Sequence, residues 1–203
     1  IGYKSASNLG FFIGKNFGNF FRKKKSIIEN LHKSKIVINT SDNQFVNNVL
    51  GNYGRILAEY PFLKDFRKNK LEQFIRIDGI ENLDKIKINN KPVVFISGHF
   101  NNFELMAMQI EKHGINLAAI YRPLNNVFLN KTMERIRSKY ICRNQIRKGR
   151  SGTRQILENL KKGNSIALMI DQRVTEGIKI DFFGNLASTT TIPAQIIKKY
   201  QCD

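Results

Sequence analysis

The sequence predicts an α/β fold, with a mixed, mostly parallel sheet flanked by helices. Three observations carry this expectation. Short apolar runs alternate with longer stretches whose apolar residues recur at three- and four-residue steps, the alternation of β-α-β units. Hydrophobic residues make up 41% of the 203 residues, enough for a core and too many for a disordered chain. No internal repeat or low-complexity linker interrupts the pattern, and the length fits one domain better than two.

The elements follow in order. Leu9 to Phe21 reads LGFFIGKNFGNFF and precedes Arg22-Lys23-Lys24-Lys25. On a helix, Leu9, Ile13, Phe17, Phe20 and Phe21 share one side, and Gly10, Gly14 and Gly18 line one edge. Three readings stand: an interfacial helix with a basic stop, lying on an anionic bilayer, the end of a longer apolar segment lost upstream, or an amphipathic helix packed on its own domain. Gln44 to Lys64 is helical, with Phe45, Val49, Leu50, Tyr53, Ile56 and Leu57 in register. Phe74–Asp78 reads as a strand running into a turn at Gly79, and Val93–Ile96 as a short buried strand. Asn102–His113 is helical, Leu117–Tyr121 a strand, and Asn126–Lys139 helical. Ser151–Lys162 is helical, Ser165–Ile170 and Ile178–Phe183 are strands, and Pro193–Tyr200 begins a last helix. The chain opens on Ile1 and stops just after that helix, so the expectation is a fragment lacking both ends.

Charge is segregated. The net charge is +18, yet residues 1–35 hold eight cations against one anion, and residues 131–162 eleven against two. Such patches suit an anionic partner: phosphates, a membrane surface or an acidic protein. No apolar run approaches the ~18–20 residues of a spanning helix. Cys142 and Cys202 are too few for a disulfide scaffold and lack metal-ligand spacing, which fits a reducing compartment.

Of three histidines, one sits where chemistry is expected. His32 lies in a basic polar stretch, and His113 ends a helix before Gly114. His99 follows a buried strand and the Ser97-Gly98 turn, at the carboxyl end of a strand where open α/β sheets place ligands. Glu104 lies five residues on, in the first turn of the next helix, and can aim back at the imidazole. A carboxylate there fixes the tautomer and leaves the other nitrogen as a general base. The alternative is a loop histidine beside a glutamate that complements the helix dipole. Ser97 lacks a G-x-S-x-G elbow, no phosphate loop occurs, and no zinc spacing is present, so no metal is expected.

Gly98-His99-Phe100-Asn101-Asn102-Phe103-Glu104 resembles the N-H-F-G-N-W-E block of the bacterial lipid A biosynthesis acyltransferases, the lauroyl/myristoyl family. Further blocks follow in the family's order: Ile120-Tyr121-Arg122-Pro123-Leu124, Arg147-Lys148-Gly149-Arg150, Ile170-Asp171-Gln172, and Phe182-Phe183-Gly184 with Thr191-Ile192-Pro193. Upstream, Gly54-Arg55, Ala58-Glu59 and the stretch from Ile77 to Leu83 also fit. Two positions depart: Gly98 replaces the family's Asn, and Phe103 its Trp.

The resemblance implies an inner-membrane enzyme working at the cytoplasmic face, without a cofactor. It would move a fatty acyl chain from acyl carrier protein, its co-substrate and partner, to a hydroxyl of a lipid A precursor. His99 would be the base and Glu104 its orienting carboxylate. Arg122, Lys148 and Arg150 would bind phosphates or sugar carboxylates of the glycolipid. Asp171 reads as a structural cap at a strand end. The implied division is a membrane-associated segment at residues 1–35 and an acyltransferase domain at 36–203. Rival readings are transfer to another lipid, such as a glycerophosphate or a glycosylated phospholipid, and a basic nucleic-acid-binding module. The last leaves His99 and Glu104 without a task, so no nucleic acid is expected.

Overall fold

The computed structural model describes residues 1–124, 126–175 and 177–202, with every side chain among them except that of Arg150. The elements begin with helices α1 (Tyr3–Phe17), α2 (Lys24–Ser34), α3 (Asp42–Glu59), α4 (Leu63–Arg67) and α5 (Ile80–Asn89). Strand β1 (Val94–Ser97), α6 (Glu104–Lys112), β2 (Leu117–Tyr121), α7 (Val127–Ile136) and β3 (Asn144–Arg147) follow. The chain continues through α8 (Arg150–Lys161), β4 (Ser165–Met169), β5 (Ile178–Phe182), β6 (Asn185–Thr189) and α9 (Ile192–Tyr200). Residues 1–62 with 179–188 make one unit, and residues 63–178 with 189–203 the other.

In the first unit α1 and α3 lie antiparallel, backbone against backbone. A Cβ on Gly14 would stand 2.3 Å from the Leu50 carbonyl oxygen, and one on Gly10 would stand 2.5 Å from that of Gly54. The glycine edge seen in the sequence is therefore the packed edge. Beside it Ser7 Oγ donates to the buried Glu59 carboxylate at 2.7 Å, and Arg55 Nη1 donates to Ser7 Oγ at 2.9 Å. Burial and Glu59 push the Tyr3 phenol up to about 12. The outward side of α1 keeps Phe12, Ile13 and Phe17 exposed, with Phe20 and Phe21 beyond it. α1 thus has one packed face and one open, apolar face. Among the described residues, no helix is long and apolar enough to cross a membrane.

The second unit holds a four-stranded sheet in the order β1-β4-β2-β3, parallel throughout. Helices α6, α7 and α8 connect successive strands. Ala118, Ile166 and Leu168 of the sheet pack with Ile156 and Leu160 of α8 and Ile196 of α9. Each of these Ile and Leu side chains, fully buried, contributes roughly 1.5–3 kcal/mol. Four of the sequence-based strands appear at or within a residue of their expected bounds.

Phe74–Asp78 is a correction. Residues Glu72–Phe74 form a 3-10 turn, and the stretch after them is unpaired. Arg76 instead forks onto Asp78 at 3.0 Å, a local bond that needs no neighbouring strand. β3 and β6 were not foreseen. β3 is an edge strand in which only Ile146 is buried, so its polar sequence carries no strand signal.

In an exposed helix, Gly→Ala stabilises by roughly 0.5–1 kcal/mol. At Gly14 the methyl would collide with a carbonyl of α3, so Gly14→Ala should destabilise by about 1–3 kcal/mol instead. Urea unfolding followed by far-ultraviolet circular dichroism checks the sign.

Candidate active site

The parallel register assembles the site. β1 pairs with β4 so that Ser97 stands opposite Met169, and the Ile170 N–H donates to the Ser97 carbonyl at 2.9 Å. Two residues further along each chain come His99 and Asp171. The His99 backbone N–H donates to Asp171 Oδ2 at 2.8 Å, and His99 Nδ1 lies 2.8 Å from Oδ1. An ionised carboxylate only accepts, so Nδ1 carries a proton toward Asp171, and in the neutral imidazole the lone pair is on Nε2. Gln172 Nε2 lies 3.4 Å from that nitrogen, and Phe103 meets the imidazole edge-on at 4.7 Å. Burial pushes the Asp171 carboxyl up, but the backbone and ring N–H groups of His99 outweigh it and hold the carboxyl below its usual value.

The geometry differs from the sequence reading at two residues. Asp171, expected as a structural cap, accepts from both the backbone and the ring of His99. Glu104 is committed elsewhere: buried at the start of α6, it accepts at Oε1 from Arg137 Nε at 2.8 Å and Nη2 at 2.6 Å. Arg137 opens a π-helical turn, Arg137–Ile141, that continues α7. Such turns re-aim side chains, and this one turns a guanidinium inward beneath the Tyr121 ring, 5.9 Å from its centroid.

His99 and Glu104 line one cavity of about 520 Å³, together with Arg137. That volume lies within the ~300–1,000 Å³ of ordinary ligand sites. Its walls are apolar at Ala107, Ala119, Ile141, Ile156 and Leu168. Cations gather on the same lining: the expected Arg122 and Lys148, and also Arg147, which sequence reasoning passed over. The side chain of Arg150 lies outside the described residues, and its backbone starts α8. The amino end of α8 has no side-chain cap, and its Gly149, Gly152 and Thr153 line the cavity, adding partial positive charge. Gly149 adopts φ +141, which only glycine takes without strain. A Cβ on Gly98 would meet Phe100 Cε2 at 2.9 Å and Asp171 Oδ2 at 3.3 Å, so this loop is built around the missing side chain.

Two other residues are set apart. Cys142 is buried, and burial first, then Glu111, push its thiol up to about 11, which keeps it protonated and inert. His113 holds Asp84 at 2.8 Å at the far end of α6, a structural pairing.

The family model described as bacterial lipid A biosynthesis acyltransferase matches residues 1–203. Against the curated proteins, no match reaches significance.

Removing Glu104 takes the carboxylate partner from a guanidinium whose side chain is only 13% exposed. Glu104→Ala should therefore destabilise the fold by about 3–5 kcal/mol, and a second change, Arg137→Met, should restore much of it. Thermal unfolding of the single and double variants measures this. Because the Asp171 carboxyl ionises below its ordinary value of 3.8, its stabilising contribution is complete above that pH and fades as pH falls further. The stability gap between the parent and Asp171→Asn should shrink across that range in an acid titration.

Proposed function

The chain belongs to the bacterial lipid A biosynthesis acyltransferases, and on that premise we propose that it transfers a fatty acyl chain from acyl carrier protein to a hydroxyl of a lipid A precursor. The observation that carries the reading is a histidine held by a carboxylate at Nδ1, its Nε2 met by the Gln172 amide, on a largely apolar cavity that also gathers cations. His99 Nε2 takes the proton of the acceptor hydroxyl as its oxygen attacks the thioester carbonyl. Asp171 holds the ring by Nδ1 and stabilises the imidazolium that forms. A new C–O bond closes the tetrahedral intermediate, the C–S bond then breaks, and the departing thiolate recovers the proton from Nε2. No acyl-enzyme is needed.

Glu104 acts through Arg137. The ion pair keeps the guanidinium on the cavity wall, where a fixed cation favours the negative charge that develops on the carbonyl oxygen. Arg122 and Lys148 bind anionic groups of the glycolipid, and the apolar wall accepts the acyl chain. The first 35 residues, with open phenylalanines beside Arg22–Lys25, hold the protein to the cytoplasmic face of the inner membrane.

Acyl transfer from labelled acyl carrier protein to a lipid A precursor tests this. His99→Ala should lower kcat by about 10³-fold or more, and Asp171→Asn by about 10²-fold, with KM little changed in either. Full transfer by His99→Ala would sink the mechanism. Activity on glycerol 3-phosphate alone would move the chain to another acceptor.

A further inference from the structure

The start of α7 is unusual for a helix beside a ligand-sized cavity. Val127, Phe128 and Leu129 open it, and they are 64%, 86% and 57% exposed. Three adjacent large apolar residues left in water form a patch, which monomeric surfaces ordinarily avoid. Their position is fixed. Asn126 caps the helix, accepting from the Phe128 and Leu129 N–H groups at 3.0 and 3.1 Å. One turn on, Asn130 Oδ1 accepts from the Leu124 N–H at 2.9 Å, and Leu124 lines the cavity. Further along, the Tyr121 hydroxyl and Asn130 both donate to Glu134, so the helix is tied to the cavity's rim. Phe100, 77% exposed, stands in the His99 loop, which leaves the same carboxyl edge of the sheet.

The charge around this turn has one sign. Lys131, Arg135 and Lys139 follow it, and the single anion of the stretch, Glu134, is taken by Tyr121 and Asn130. Exposed apolar residues followed by cations match an anionic lipid surface, where the side chains enter the acyl boundary and the cations meet phosphates.

We infer that the first turn of α7 inserts into an anionic bilayer and sets the mouth of the cavity at the lipid surface. The inference rests on the proposed action on a membrane lipid. It adds a contact made by the unit that carries His99, separate from the amino-terminal segment. The acceptor then reaches Nε2 without its chains crossing water.

The chain contains no tryptophan, so one indole reports alone. Full-length protein carrying Phe128→Trp is mixed with phosphatidylglycerol vesicles, with and without brominated acyl chains, and binding is scored separately by sedimentation. Insertion predicts a blue-shifted emission that brominated lipid quenches, and neither effect with phosphatidylcholine vesicles. A Phe128→Ser, Leu129→Ser variant should need several-fold more lipid for half-maximal sedimentation. An unshifted, unquenched indole on vesicle-bound protein overturns the inference, as does failure to sediment with anionic vesicles. So does a blue shift seen with acyl carrier protein and absent with lipid, which would make this turn a protein contact. None of these readouts uses acyl transfer, so the inference and the catalytic reading fail separately.

Discussion

The register between two neighbouring parallel strands governs the site. With Ser97 opposite Met169, the next two residues of each chain bring an imidazole and a carboxylate to hydrogen-bonding distance. A slip of one residue would turn β4's inward side chains to the other face and part the pair together. Core and site are thus specified by the same ladder. Ile166 and Leu168 face α8 and α9, and their packing is what holds Asp171 in place.

The sheet was largely legible because its inner strands are continuous apolar runs, and the loop after β1 was legible because it carries a histidine at a strand end. The partner of that histidine was not. His99 and Asp171 are 72 residues apart in sequence, and only the order β1-β4-β2-β3 makes them neighbours. Chain order does not reveal that β4 inserts between β1 and β2. Glu104 drew attention instead because it is close along the chain. Arg137 was one cation among eleven in its stretch, and nothing but a π-helical turn distinguishes it. The polar edge strand β3 stayed hidden for the same reason that it is an edge: one buried residue makes no pattern.

The electrostatics divide between two pairs with different tasks. Asp171 and His99 are each about a third exposed on their side chains, so that pair meets solvent. Glu104 and Arg137 are nearly sealed, so losing either partner leaves a charge behind in a place that water barely reaches. Members of both pairs line the same cavity.

The glycine contact between α1 and α3 limits which residues this seam accepts. Gly14 and Gly54 face backbone atoms alone, so no substitution on the opposite helix makes room for an added methyl. Gly10 faces the Ala58 Cβ as well, but the Gly54 carbonyl would still block a side chain there. The outward residues of α1 meet no such wall.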